Sequence, residues 1–273
     1  FNMSVGDLIP FATIGTVMPD GMEISQRKMR GEMSNGMCCS AAELGLGSDQ
    51  DGIMILPDDL ETGVSLMEQL GLVGDVLWDL EINPNRPDAM SVAGVARDLA
   101  ARLGVPFEIP EWTVASTGSE EGLARIEIAD GDLCPRFTGR VITGVTVGTS
   151  PLWMQMRLTL LGMRPINSVV DVSNYVMLEL GTPNHTYDLS LLANGHIGVR
   201  RAANGESITT LDDQERTLLA DDGLIVNDGD EPIGIAGVMG GASTEISATT
   251  DSVLLELASW AVSYTHLTLP TKA

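Results

Sequence analysis

The sequence predicts an α+β multidomain fold, with part of a small β-barrel first, a small α+β segment next and a mixed α/β region last. Three observations predict it. Residues 1–30 divide into strand-length runs separated by turns, Met18-Pro19-Asp20-Gly21 among them. Asn83-Pro84-Asn85-Arg86-Pro87-Asp88 is a strong break ahead of a long apolar-periodic run. Beyond residue 122, runs rich in β-branched residues alternate with helical runs that stop at glycine. With 273 residues, 44% of them hydrophobic, the chain is long enough to bury a core.

The elements follow in order. Ser40 is placed to cap a helix over 40–45. Residues 53–56 read as a strand closed by Pro57, 62–71 as a helix and 76–82 as a strand. After the break, Asp88 is placed to cap a helix whose apolar stripe is Val92, Val95, Ala96, Leu99, Ala100 and Leu103, with Gly104 at its end. Residues 106–122 read as a linker. Strands are expected over 123–128 and 137–147. Ser150-Pro151 opens a helix through Leu161 that stops at Gly162. Another helix covers 169–180 and stops at Gly181, and strands follow near 197–201, 223–226, 233–238 and 253–257. There is no internal repeat.

Charge narrows the function classes. The net charge of -23 argues against a chain that coats nucleic acid by charge alone, since phosphate binding needs Lys and Arg to displace counterions. The acids are uneven, however. Residues 41–90 carry a net -10 and 211–273 a net -9, while 1–40 carry -1 and 141–210 are neutral. An anionic ligand approaches the neutral stretches at least cost. No apolar run of about 18 residues exists to span a membrane as a helix. No basic-then-apolar start marks a signal peptide. Cys38, Cys39 and Cys134 are odd in number and lack C-x-x-C spacing, which fits reduced thiols in a cytoplasmic protein better than a disulfide or zinc framework.

Few residues suggest chemistry. His185 sits in Gly181-Thr182-Pro183-Asn184-His185-Thr186-Tyr187-Asp188, a loop just after a helix, where it is either a hydrogen-bonding loop histidine or a catalytic one. Glu256 sits in the apolar strand Val253-Leu254-Leu255-Glu256-Leu257. It either faces solvent by alternation or faces inward, where it needs a partner. Gly237-Val238-Met239-Gly240-Gly241 lacks a phosphate-loop ending and reads as a place of close backbone approach. Asp49-x-Asp51-Gly52 carries too few ligands for a calcium loop. Arg27, Lys28 and Arg30 form the one tight basic cluster before residue 86, an ordinary solvated edge or a small phosphate-contacting patch.

Taken together, these pieces resemble the beta subunit of bacterial-type phenylalanyl-tRNA synthetases. The segment from Lys28-Met29-Arg30 through Glu43-Leu44-Gly45-Leu46 is similar to the end of that family's tRNA-binding oligonucleotide-fold domain. The 83–88 break and its helix resemble the small domain that follows. Asn174-Tyr175-Val176-Met177-Leu178-Glu179-Leu180-Gly181, His185, the 236–241 loop and Leu254-Leu255-Glu256 resemble the editing domain.

The resemblance implies a truncated subunit. Residues 1–70 would be the end of a partial oligonucleotide-fold β-barrel and 72–110 the small α+β domain. A linker would cover 111–121, with a truncated B3/B4-type editing domain over 122–260. Residues 261–273 are expected to be a non-native tail. The resemblance further implies a ligase that joins phenylalanine to its tRNA in an alpha2beta2 heterotetramer. The alpha subunit would aminoacylate with ATP and Mg2+, and this chain would hold no cofactor or metal of its own. The beta subunit would bind tRNA and hydrolyse tyrosine wrongly attached to phenylalanine tRNA. His185 and Glu256 match the editing positions. Ser173, Asn174, Gly237 and Gly240 match substrate-lining positions, and the basic cluster Arg27, Lys28 and Arg30 is the expected tRNA-binding patch. Asn184 stands where the family usually has an apolar residue, and Ser173 where it has a threonine-type hydroxyl. A non-enzymatic tRNA-binding or assembly module, or an unrelated acidic metabolite-binding α/β domain, is the alternative.

Overall fold

A computed structural model of the chain describes residues 2–46, 50, 52–83, 85–116, 118–119 and 122–261. Residue 84 of the expected break, Asp49 and Asp51, and the expected tail from residue 262 onward lie outside the described residues. The architecture is mixed α+β, with several small sheets and few helices. The chain divides into two compact units, Phe1–Leu80 with Ser150–Ile166, and Glu81–Thr149 with Asn167–Ala273.

In the first unit, β1 (Phe11–Thr13), β2 (Arg27–Met29), β3 (Glu32–Ser34) and β4 (Gly36–Cys38) form two antiparallel pairs, β1 with β4 and β2 with β3. Ala12, Met18, Ile24 and Cys39 make a small core, with Met22, Met37 and Leu44 packed against it. Four expectations fail here, the first being the strand over 53–56, where only Leu56 makes an isolated bridge, to Leu8. Ser40 and Glu43 do exchange capping bonds, Oγ to Oε2 at 2.9 Å and the Glu43 amide to Oγ at 3.3 Å. They close a turn and not a helix, because Gly45 turns left-handed at φ 69° before a second helical turn can form. The 62–71 helix shortens to α1 (Leu66–Gln69). Residues 76–82 find no partner strand, and Val76, Leu77, Trp78 and Leu80 stay exposed. This unit also contains the later helix α3 (Leu152–Leu160), with Met154, Met156 and Leu158 buried. The capping position of this helix falls on Pro151, one residue after Ser150.

The second unit begins with α2 (Val92–Leu103). Its cap is Ser91, which accepts from the Gly94 amide at 3.0 Å, and not Asp88. Asp88 instead pairs with Arg86 and Arg97, both at 2.9 Å. The predicted stripe is only partly covered, since Val92, Leu99 and Leu103 are exposed. Strands β5 (Arg125–Ile128) and β6 (Arg136–Thr143) follow, then α4 (Ser168–Leu180). Asn167 caps α4 through bonds from the Val169 and Val170 amides.

The remaining strands are β7 (His185–Asp188), β8 (His196–Arg201), β9 (Ser207–Thr209), β10 (Glu215–Thr217), β11 (Gly223–Val226), β12 (Pro232–Ile235), β13 (Met239–Gly240) and β14 (Ser252–Ser259). They form a five-stranded sheet in the order β13-β12-β11-β8-β5, a three-stranded sheet β6-β14-β7 and a β9–β10 hairpin. All pairings are antiparallel except β5 with β8. One core joins the two larger sheets. Phe137, Tyr187 and Leu254 come from the three-stranded sheet, and Ile197, Val199, Ile225 and Ile233 from the five-stranded one. Leu224, Val226 and Ile235 cover the opposite face of the larger sheet, with Ile208 and Leu218 from around the hairpin. Strands buried on both faces carry continuous apolar runs, as Gly223-Leu224-Ile225-Val226 does.

Candidate functional site

The site forms where the three-stranded sheet faces the glycine loop of the five-stranded sheet. Long-range pairing sets it. β14 lies between β6 and β7, so Glu256 stands directly opposite Gly139 on one side and His185 on the other. Paired residues share a face, and alternate residues share it along each strand. Glu256, Leu254, His185 and Tyr187 therefore point the same way, into the core between the sheets. His185 is not a loop residue. It begins a strand, and the loop ends one residue before it.

Glu256 is 6% exposed. The Tyr187 hydroxyl donates to its Oε2 at 2.5 Å. Burial pushes the Glu256 carboxyl up to about 7, against the opposing pull of the Tyr187 hydrogen bond. Tyr187 is fully buried, and burial followed by the Glu256 charge raises its phenol well above the ordinary value. The His185 imidazole packs edge-on against the Tyr187 ring, centroids 4.5 Å apart and planes at 79°. Burial pulls His185 down to about 4, so the ring is neutral at pH 7. Cys134, buried before β6, has its thiol raised by burial and also by the Glu256 charge.

Two glycines shape the wall. A Cβ on Gly240 would stand 2.5 Å from both Cε1 and Nε2 of His185, so β13 reaches the imidazole only because that residue lacks a side chain. Gly237 holds a left-handed φ of 64°, and a Cβ there would stand 2.8 Å from Cδ1 of Trp260. Trp260 in turn packs edge-on to Phe137, centroids 6.4 Å apart.

The other predicted residues stand at different removes. Ser173, on α4, donates from Oγ to Oδ1 of Asn184 at 2.6 Å, and Asn184 Nδ2 donates back to the Ser173 carbonyl at 3.2 Å. Ser173 thus anchors the residue preceding His185 rather than touching the ring. Asn174 is half-buried beside it on α4. Arg27, Lys28 and Arg30 belong to the first unit, all exposed on the β2–β3 hairpin. Arg30 and Gly31 form its turn, with φ of 52° and 96°.

Tyr187, Gly139 and Trp260 were not singled out by the sequence. Tyr187 has a local signal, an aromatic residue two along from the candidate histidine, but its meaning depends on a partner 69 residues away. Among the described residues, no group of three or more His, Cys, Asp or Glu side chains is arranged to hold a metal ion. No helix among them is long and apolar enough to cross a membrane.

Comparison with known proteins agrees on one family. The B3/4 domain family matches residues 133–273. The phenylalanine–tRNA ligase beta subunit of Nitratidesulfovibrio vulgaris is 49% identical over 258 residues, which is 94% of this chain and 32% of that protein. The beta subunit of Geobacter sulfurreducens is 48% identical over the same shares of both chains. That of Syntrophus aciditrophicus is 46% identical over 96% of this chain and 32% of its own. A solved N-terminal fragment of the phenylalanyl-tRNA synthetase beta-subunit from Pyrococcus horikoshii aligns with 66% of this chain and 54% of its own, at 15% identity and a TM-score of 0.40. The chain spans about a third of the length of the curated relatives it matches. The resemblance to phenylalanine–tRNA ligase beta subunits therefore holds over nearly the whole chain, and the chain belongs to the B3/4 domain family.

Proposed function

We propose that this chain is the tRNA-contacting and editing part of a phenylalanine–tRNA ligase beta subunit, acting beside an alpha subunit in a cytoplasmic alpha2beta2 enzyme. In this reading residues 1–70 come from an oligonucleotide-fold domain and 122–260 form the editing domain. ATP and Mg2+ serve the synthetic reaction on the alpha subunit. The editing reaction is hydrolysis of tyrosine from phenylalanine tRNA.

The observation that carries the reading is the buried carboxylate of Glu256, set opposite His185 in a glycine-walled site. A synthetic pocket shaped for a benzyl ring rejects the same ring with one added hydroxyl by only about a hundredfold. A second site that offers that hydroxyl a buried acceptor sorts far better. With phenylalanine in it, the acceptor goes unpaired in a dry environment. Glu256 supplies such an acceptor.

In the reaction, water oxygen adds to the ester carbonyl carbon and the bond to the terminal ribose oxygen breaks. That oxygen takes up the proton, and free tyrosine and intact tRNA leave. A neutral His185 offers one N–H and one lone pair, so it can hold both the ester and the attacking water. At a pKa of about 4 it is a poor proton store at pH 7, which favours positioning over general-base catalysis and leaves proton transfer to the ribose hydroxyl.

The test uses the full-length subunit with its alpha partner and tyrosyl ester of phenylalanine tRNA. His185→Ala should slow deacylation by about a hundredfold, the cost of misplacing the reacting groups. Glu256→Ala should erase the preference for the tyrosyl over the phenylalanyl ester. Wild-type rates and preference in both variants would remove these residues from the reaction and favour a purely tRNA-binding role.

A further inference from the structure

We propose that Tyr187 is a specificity-determining residue of this site: its phenol fixes one carboxylate oxygen of Glu256, Oε2, and so presents the other, Oε1, to the substrate phenol. The proposal rests on the editing reading above and deepens it.

The geometry is specific. Tyr187 lies two residues beyond His185 on β7, opposite Leu254, and reaches diagonally across to Glu256. Its ring is wedged edge-on against the His185 imidazole, which limits its movement. On the far side of Glu256, the cross-strand position is Gly139, which has no side chain to compete for the carboxylate. Among the described residues the bond from Tyr187 is the one hydrogen bond to the Glu256 side chain. A phenol has a single proton to donate, whereas a carboxylate has lone pairs for about four hydrogen bonds. Tyr187 therefore satisfies one oxygen and leaves the other available for a second phenol.

The arrangement also answers a cost. An empty site would otherwise hold a buried carboxylate with no partner, and it would rotate away or take up a proton. An internal phenol keeps the acceptor aimed and offsets part of the pull of burial toward its protonated form while no substrate is bound. The titratable groups around Glu256 are His185 and Tyr187 from β7 and Cys134 from the turn before β6. The five-stranded sheet contributes apolar side chains to this core. Of these groups, only the Tyr187 bond draws the carboxyl toward its charged form.

The experiment measures hydrolysis of the tyrosyl and phenylalanyl esters of phenylalanine tRNA by the complete alpha2beta2 enzyme, wild type against Tyr187→Phe, across pH. Tyr187→Phe keeps the ring and removes only the hydroxyl. The expected result is a tenfold fall in the tyrosyl-over-phenylalanyl preference, carried more by KM than by kcat. The acid limb of the tyrosyl profile should also move to higher pH, so that alkali restores part of the loss. An unchanged preference and acid limb, or an equal slowing of both esters, overturns the proposal and leaves the editing reading standing. A wild-type enzyme with no preference for the tyrosyl ester overturns the editing reading and this proposal together.

Discussion

The β2–β3 hairpin and the β6-β14-β7 sheet carry the two kinds of residue on which the reading depends, and they hold them in opposite ways. On the hairpin all of β2 is exposed, and Arg27 reaches only its near neighbour Ser25, from Nε to Oγ at 3.4 Å. On the sheet, Glu256 and Tyr187 are buried and each partner is set by register. Exposed charge acts at long range and tolerates imprecision. Buried charge acts only on what enters the site, and its effect depends on tenths of an ångström. Substitutions should therefore have large, local and structural effects in the sheet, and small, additive and salt-dependent effects on the hairpin.

The sharpest contrast is in stability. Leu254 is 1% exposed in the core between the two sheets, while Met29 on the hairpin is 63% exposed. Leu254→Ala should destabilise its unit by about 2–5 kcal/mol, through lost transfer energy and a residual cavity. Met29→Ala should stay within about 0.5 kcal/mol. Thermal unfolding of both variants checks this, and equal shifts would break the distinction between the regions.

Titration gives the next effect. Glu256 is raised from its ordinary value to about 7, so between those limits the folded state holds a proton that the unfolded state releases. Stability from this group falls as pH rises through that window. His185 is lowered to about 4, so the folded state lacks a proton that the unfolded state binds up to the ordinary histidine value, and its contribution rises with pH. The two nearly cancel in the wild type. Glu256→Gln removes the falling part alone. Protection of the β14 amides in hydrogen exchange, relative to wild type, should climb from about pH 4.5 to 7 and level off above. A flat ratio would mean that the carboxylate is not held in the environment its burial implies.

The same contrast explains what the sequence made legible. Helix α4 and strand β11 were readable because local pattern decides them: a glycine stop at 181 and an unbroken apolar run at 223–226. Strand β7 reads as loop in the sequence because His185-Thr186-Tyr187-Asp188 is four residues with no apolar alternation, and only pairing with β14 makes it a strand. Residues 76–82 erred in the other direction, having strand composition but no partner. Alternation alone does not decide which way Glu256 faces; that depends on which face of β14 the second sheet covers. Asp88 is the cap the sequence offers, but its carboxylate is taken by Arg86 and Arg97, and Ser91, three residues on, caps the helix instead. Among the site residues, sequence could nominate types, but the contact between Tyr187 and Glu256 spans 69 positions and has no local trace.

The smallest effect belongs to the hairpin, and its geometry limits it further. Arg27 and Lys28 are adjacent on β2, so they project from opposite faces of a two-stranded ribbon, and Arg30 caps the tip with a positive φ. A nucleic-acid backbone lying along one face meets Arg27 or Lys28, not both. If the arm contacts tRNA phosphates, the Arg27→Ser/Lys28→Ser pair should lower the slope of log affinity against log salt by about 1, the value for a single contact, and not by about 2. Arg30→Asn removes the tip charge and keeps a residue that tolerates the left-handed turn, so any further fall in slope reports charge and not refolding of the arm. Salt titrations of tRNA binding by the full-length subunit with its partner would measure both. A drop of about 2 from the double variant would mean that the RNA wraps the arm from both sides. An unchanged slope in all three substitutions would place the tRNA contacts elsewhere and reduce this basic cluster to an ordinary solvated edge.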